Sequence, residues 1–467
     1  MPDKPAITHE LGALIAGVRP ADIPEAARGI AARGLVDAVG TMIAGSVEPV
    51  TGIVRRTLPA GGQAHVCLGP DTAHPMDAAR VNGTAAHALD FDDVSIQGHP
   101  SAVLLAALLP EAEVLGASGR DFLDAYVMGF EAWAELVLRE PDQHHRKGWH
   151  PTGLFGAVGA AAACARLRRL GPRESAHALG IAASQSAGVM ANFGSMVKPF
   201  HAGSAACTGV LSARLAAEGM QASPDAIEHP QGLLRAASPA GRVDLDSPVR
   251  AASDWHLLAR GLTIKKYPTC LSTHRGLDGM HELLAQGTLP AGSVRRVTVR
   301  MSARNATILH AHRPRTALEG KFSIEFAVAA MLAAGRLTLA ELTDDFVLRD
   351  DVQALIRRVA VEHDSREDPL TGYAPEDTIT IETEDGRRLA TSVSDMRGTP
   401  ANPIGDRELF AKFESCLRVA DYGAPAQALF ESFLDLAAVP DMSAFVRRWA
   451  GAARRKENIE REVTHHG

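Results

Sequence analysis

Over the first 260 or so positions, apolar residues recur at intervals of three and four. In residues 121–140 (DFLDAYVMGFEAWAELVLRE), Phe122, Tyr126, Phe130, Trp133 and Val137 fall on one stripe, which predicts a helix with a single buried face. Residues 153–170 are rich in Gly and Ala and end in Arg166, Arg168 and Arg169. Small residues let helix backbones approach closely, and the arginines suit a helix C-terminus. Gly171-Pro172 then stops the helix. Residues 175–190 and 204–219 repeat the Ala/Gly-rich style, so a tightly packed helical core is expected. No repeat of fixed period is present.

After about residue 264 the pattern changes. Residues 293–301 (SVRRVTVRM) set Val294, Val297 and Val299 among arginines, a half-buried strand. Residues 359–362 predict a short strand, and 378–384 and 388–393 flank Asp385-Gly386, a strong hairpin signal. Residues 323–334 (SIEFAVAAMLAA) read as a helix between the strands. The expected architecture is mainly α: a helical domain over 1–263, an inserted smaller α/β (α+β) domain over 264–406, and a helical return over 407–467. The inserted domain is expected to hold an antiparallel sheet with helices on one face. In the return, helices are expected at 408–420, at 425–436 with Pro425 in the first helical position, and at 443–453, ahead of a charged tail that frays from Arg454.

Composition narrows the function. With 467 residues, 46% hydrophobic and 22% charged, the chain is ordinary globular protein, which excludes collagen-like, disordered and disulfide-scaffold classes. A net charge of -7 without a basic block argues against a nucleic-acid partner. An anionic substrate would need a locally positive site. Five scattered cysteines without a CxxC pair predict a reducing compartment. The N-terminus has no signal pattern and no run of about 18 uncharged apolar residues occurs, so a cytoplasmic location with no membrane partner is expected. GxGxxG, Walker, GxSxG and HExxH patterns are all missing, which favours an enzyme without a cofactor.

Four segments place polar residues where the pattern expects core. In 82–100 (NGTAAHALDFDDVSIQGHP), Asp90, Asp92 and Asp93 end an Ala-rich helical stretch, where carboxylates oppose the helix dipole. Three readings stay open: a carboxylate orienting the His99 imidazole for acid–base work, metal ligation, or capping of the next turn or helix. In 147–153 (KGWHPTG), His150 precedes a proline and a small-residue helix whose first N–H groups could receive an anion; the alternative is a surface-loop histidine. Its neighbours His144, His145, Arg146 and Lys147 read as solvated charge. In 194–203 (GSMVKPFHAG), Lys198 either snorkels or pairs with an anion beside His201. In 264–274 (IKKYPTCLSTH), Lys265, Lys266 and Tyr267 mark either a charged linker or a ligand site at the domain boundary, and no pattern supports Cys270 as a nucleophile.

Taken in order, NGTAAHALDFDD with HPSA, the HPTG of 150–153, VKPFHAG, KKYPTCLSTH, and HRP (312–314) followed by KFS (321–323) resemble the MmgE/PrpD family over roughly residues 10–450. That family includes 2-methylcitrate dehydratase, cis-aconitate decarboxylase and iminodisuccinate epimerase. The resemblance implies a large helical domain with a smaller α/β lid, usually in a homodimer, and an active site between the domains without a metal or organic cofactor. By position in the motifs it implies Asp90, His99, His150, Lys198 and Lys265 as catalytic residues. Two departures count against cis-aconitate decarboxylation. Val94 stands where the decarboxylase pattern has Thr, in a loop one residue shorter. His310, before Ala311-His312-Arg313-Pro314, stands where that pattern has Tyr two residues before Asn-Arg-Pro.

The chemistry implied is the making or quenching of a carbanion next to a carboxylate of a small anionic polycarboxylate. Fixed cations stabilise the charge that develops. On this expectation Lys198 and Lys265 bind and neutralise carboxylates, helped by Arg313 or Lys266, with Tyr267, His201 and His310 also contacting substrate. His99 and His150 transfer protons, and Asp90 sets the tautomer of one of them. A dehydratase is expected first, then an epimerase or a decarboxylase. Outside the class stand a metal-dependent hydrolase using Asp90, Asp92, Asp93 and His99, and a non-catalytic carboxylate-binding relative.

Overall fold

The computed structural model describes residues 6–287, 289–368 and 373–464, with side chains through 453. The chain divides into two compact units, residues 1–263 with 409–467, and residues 264–408. Among the described residues, the first unit is helical apart from a hairpin of two two-residue strands, Ala64–His65 and Thr72–Ala73. Its central helices are α1 (Glu25–Gly45), α2 (Pro75–Ala88), α3 (Pro100–Leu115), α4 (Gly119–Leu138), α5 (Gly156–Leu167) and α6 (Val197–Ala217). All five residues of the stripe on α4 are buried, but so is every other residue from Phe122 to Val137, so α4 is a core helix and does not have the single buried face that its pattern predicted. Residues 153–170 form two helices, Pro151–Leu154 and α5, parted at Phe155.

Small residues set the spacing of this unit. A Cβ on Gly83 of α2 would lie 2.8 Å from the Gly203 Cα of α6 and 3.0 Å from the Ala202 carbonyl oxygen. The two backbones therefore pass in direct contact. That closeness brings the last turn of α2, with His87, beside the first turns of α6, with Lys198 and His201.

The second unit holds a four-stranded sheet of β1 (Val294–Met301), β2 (Val359–His363), β3 (Asp377–Thr383) and β4 (Arg388–Val393), in the order β2-β1-β3-β4. The β1–β3 and β3–β4 pairs are antiparallel, but β1 and β2 run parallel, with Val297 opposite Val359. The sheet is thus mixed and not antiparallel throughout. A parallel neighbour needs a crossover, and here the chain between β1 and β2 supplies it with helices that include α8 (Ile324–Ala334). The three-residue step from Val294 to Val297 is absorbed by a register shift next to Val294, which leaves Val294, Val297, Val299 and Met301 all buried. Leu277 and Met280 of α7 (His274–Ala285) and Phe326 and Met331 of α8 share the core of this unit with β1 and β3. Gly386 closes the β3–β4 hairpin at φ +85°, a conformation glycine adopts without strain.

Helix α9 (Asp406–Val419) brings the chain back to the first unit, followed by α10 (Ala426–Leu434) and α11 (Met442–Thr464). Pro425 is the N-cap of α10, one position before its first helical residue. Helix α11 continues past Ala453 to Thr464, where a fraying tail was expected, and residues 465–467 lie outside the described residues. No single helix among the described residues is long and apolar enough to cross a membrane.

Because the α2–α6 crossing leaves no room for a methyl group, Gly83→Ala is expected to destabilise the protein by about 1–3 kcal/mol. Gly29→Ala on α1, where a Cβ meets nothing within 4 Å, is the control and is expected not to destabilise. Urea unfolding of the two variants beside the wild type measures the difference.

Candidate active site

The site is assembled where α2 ends and α3 begins. After Ala88 the chain turns sharply, and Asp90 sits at φ +52°, with Ile96 at +43° and Gln97 at +60° further on. Left-handed backbone at non-glycine residues costs on the order of 1 kcal/mol or more each and persists where surrounding contacts over-determine it. Those contacts are present. Val94 and Thr263 exchange two backbone hydrogen bonds of 2.9 Å, and Ser95 and Gly98 exchange two of 3.0 and 2.7 Å. Lys412 of α9 donates to the Phe91 carbonyl at 2.6 Å, lies 4.0 Å over the Phe91 ring, and ion-pairs with the buried Asp37. Phe91, the residue between Asp90 and Asp92, is pinned in this way.

The three carboxylates have separate partners. Asp93 caps α3: it accepts from the Ser101 backbone N–H at 3.2 Å and from the Ser101 hydroxyl, which also meets the Tyr126 hydroxyl at 2.6 Å. Burial, with the nearby Asp37, pushes the Asp93 carboxyl well up. Asp90 lies 2.8 Å from the Lys198 ammonium and 3.8 Å from His99 Nε2. Asp92 is fully buried, 2.9 Å from His87 Nδ1 and 3.0 Å from His99 Nδ1. Burial alone would raise the Asp92 carboxyl, but the two imidazoles outweigh it and hold it well below the usual range.

His150 is held just ahead of Pro151 by its backbone N–H, which donates to the Gly188 carbonyl at 3.0 Å. Its Nδ1 is 3.1 Å from His201 Nδ1, so one of these nitrogens carries the proton and the other accepts. Ring centroids are 4.1 Å apart for His87 and His99, 5.9 Å for His87 and His150, and 6.5 Å for His99 and His150. Phe193 meets His150 edge-on at 4.8 Å and the Lys198 ammonium at 5.2 Å. Burial pushes His87 down to about 4 despite Asp92, and pushes His150 well below the ordinary value, with the neighbouring His87 and Lys198 adding to the effect. His201 is lowered chiefly by burial as well. His87 and His150 are therefore neutral imidazoles at neutral pH, next to an ammonium and two carboxylates.

Of the residues singled out from the sequence, Asp90, His99, His150, Lys198 and His201 come together here, all buried. Lys198 does not snorkel, because its ammonium is buried against Asp90. Lys265, Lys266, Tyr267, His310 and Arg313 belong to the second unit. There Lys265 is buried, and the Tyr267 hydroxyl donates to Asp278 at 2.9 Å. Lys266 lies 3.8 Å from that carboxylate. His310 is exposed and stacks on Phe322, and Arg313 is exposed.

Sequence reasoning missed His87. A histidine on an Ala-rich helix reads as core, and its spacing to Asp92 becomes meaningful only once the chain turns at Asp90. Asp92 lies 3.0 Å from His99 Nδ1, whereas Asp90, expected to set the tautomer of one of the two histidines, lies 3.8 Å from His99 Nε2. His144 is not solvated: it is fully buried, edge-on to Phe155 at 4.6 Å, and burial pushes it down to about 4.

His87, Asp90, Asp92 and His99 offer ligand atoms within 4.8 Å of one another, a donor set of the kind that holds divalent transition metals. Here, however, Asp92 faces two imidazole nitrogens and Asp90 faces an ammonium. One carboxylate of the set is thus already paired with an ammonium. The arrangement suits proton transfer beside a developing negative charge.

Residues 9–246 match the MmgE/PrpD N-terminal domain and residues 267–434 the MmgE/PrpD C-terminal domain. The chain is 28% identical to human cis-aconitate decarboxylase over 352 residues, covering 73% of this chain and 72% of the relative. It is 27% identical to cis-aconitate decarboxylase of Aspergillus terreus over 369 residues, 73% and 74% of the two chains. It is also 27% identical to the cis-aconitate decarboxylase-like protein oryM of Aspergillus oryzae over 470 residues, 94% and 96% of the two chains.

The buried neutral histidines set a pH dependence. An unfolded histidine takes up a proton below about pH 6.5, whereas a folded one held near 4 does not. Stability is therefore expected to fall as pH drops from about 6.5 towards 4, by about 1.4 kcal/mol per pH unit for each such histidine. His144→Leu, outside the site, should make that slope shallower by about one proton. Urea unfolding at a series of pH values reads the slope, and an unchanged slope would mean that His144 protonates freely in the folded protein.

Proposed function

The chain belongs to the MmgE/PrpD family, and from that premise we propose that it is a lyase that removes water from a small polycarboxylate by carbanion chemistry, using its own side chains and no cofactor. One observation carries the reading: two buried imidazoles 6.5 Å apart stand in unlike surroundings. His99 is backed by the Asp92 carboxylate, whereas His150 faces another imidazole and is held neutral by burial. Paired titratable groups in contrasting environments are how one site supplies both an acid and a base.

In this mechanism the neutral His150 takes the proton from the carbon next to a substrate carboxylate. Negative charge moves onto that carboxylate in an enediolate-like species. The Lys198 ammonium, aimed by Asp90, stabilises this charge more in the transition state than in the ground state. His99, beside the Asp92 carboxylate, then protonates the hydroxyl on the adjacent carbon as the C–O bond breaks. One C–H and one C–O bond are lost, a C=C bond forms, and water leaves.

A second reading is decarboxylation, which the names of the relatives favour. There a C–C bond breaks, CO2 leaves, and His99 protonates the carbanion. Val94 and His310 occupy the two positions where the decarboxylase pattern carries Thr and Tyr, which is why we place dehydration first.

Proton NMR in D2O with a panel of small di- and tricarboxylates, wild type beside Lys198→Ala, tests the proposal. The wild type is expected to exchange or eliminate on one member, and the variant is not. The product separates alkene formation from loss of CO2 and from epimerisation. On the true substrate His99→Ala and His150→Ala should each lower turnover by about 10²–10⁴-fold. A loss under about tenfold for either would reject its role, and no exchange with any member of the panel would reject the substrate class.

A further inference from the structure

We infer that Asp92, steadied by His87, is the positioning carboxylate of His99: it keeps a proton on His99 Nδ1 and so makes Nε2 the atom that exchanges protons with substrate. This inference rests on the reading of His99 as a proton-transfer group and goes beyond it, because it assigns the atom and brings in two residues with no direct part in the reaction.

An ionised carboxylate has only acceptors to offer. Asp92 has His87 Nδ1 at 2.9 Å from one oxygen and His99 Nδ1 at 3.0 Å from the other. His87 Nδ1 hydrogen-bonds the carboxylate, and His99 Nδ1 lies within ion-pair distance of it without an aligned hydrogen bond, so the carboxylate favours the proton on the Nδ1 side of each ring and leaves Nε2 for other partners. His99 Nε2 looks towards Asp90 Oδ1 at 3.8 Å, the same oxygen that meets the Lys198 ammonium at 2.8 Å. Nε2 and the Lys198 ammonium thus share the Asp90 carboxylate as a neighbour. Asp90 itself is too distant from His99 to fix its tautomer and is engaged by Lys198.

His87 supplies what Asp92 needs. A fully buried carboxylate with a single donor would be costly. His87 adds a second donor without adding a charge. Its surroundings are Asp92, the rings of His99 at 4.1 Å and His150 at 5.9 Å, and the fields of Lys198 and His201. Asp93, whose carboxyl is turned to Ser101, is a further acidic group close enough to feel Asp92. Asp92 is 0% exposed and His87 1%, so both act through His99 and touch no substrate.

The test is nitrogen NMR of protein labelled with [15N]histidine, recorded at alkaline pH so that the neutral tautomer is read. The His99 signal is identified by its loss in His99→Gln. The expected result is a proton on Nδ1 in the wild type and in Asp90→Asn, and loss of that exclusive form in Asp92→Asn. In kinetics, Asp92→Asn should lower kcat by about 100-fold or more while KM stays within about threefold. His87→Asn, whose amide N–H can stand where Nδ1–H stood, should recover most of the kcat that His87→Leu loses. A wild-type His99 protonated on Nε2 would overturn the inference, and so would a tautomer altered by Asp90→Asn and untouched by Asp92→Asn. If Asp92→Asn fails to fold, the wild-type and Asp90→Asn spectra still decide. The spectra need no substrate, so a wrong substrate class and a wrong positioning carboxylate give different outcomes.

Discussion

Two helices that touch backbone to backbone govern the rest of the first unit. Gly83 and Gly203 remove the side chains that would hold α2 and α6 apart, and the contact they allow is closer than any Cβ would tolerate. His87 belongs to one of these helices and Lys198 and His201 to the other. The separation of the two axes therefore helps set the distance of His87 from Lys198 and His201. Alanine-rich neighbours such as α5 extend the same principle through the core, where packing density comes from short side chains and close backbones. Such a core leaves little slack, so the groups it carries hold their positions.

Charge inside this core is tolerated because it is partnered in order. Three neighbouring carboxylates would repel one another if all faced the same space. Instead Asp93 turns down to cap α3, Asp92 turns to two imidazoles, and Asp90 turns to Lys198. The left-handed turn at Asp90 is what separates their directions. A run of aspartates that looks redundant in the sequence is a junction at which each side chain leaves by a different route.

The sequence made the large pattern legible for physical reasons. The α4 helix was readable because its largest side chains recur at three and four, although the fold buries its other face as well, and the β3–β4 hairpin because Asp-Gly between alternating runs has few other uses. The break at Phe155 was hidden, since a Gly/Ala stretch carries no amphipathic period to interrupt. The direction of β2 was hidden too, because alternation of apolar and polar residues is the same in parallel and antiparallel strands. At the site, Asp90, His99, His150 and Lys198 were visible as polar residues in places where core was expected. His87 and the partnership of Asp92 were not, because they depend on the chain reversing between them. His144 shows the opposite failure: a run of charged neighbours suggested solvent around a ring that the fold buries.

The return of the chain through α9 has a consequence for the order of synthesis. Lys412 donates to the carbonyl of Phe91 across 321 residues of sequence and pairs with Asp37 near the start. During translation the helices that carry the histidines emerge early, but the ammonium that fixes the residue between Asp90 and Asp92 emerges only after the whole inserted unit. A nascent chain released before α9 would hold most of the core and every imidazole of the cluster, yet lack the clamp on their central loop. The Lys412 clamp on that loop can therefore close only after the inserted unit has been made.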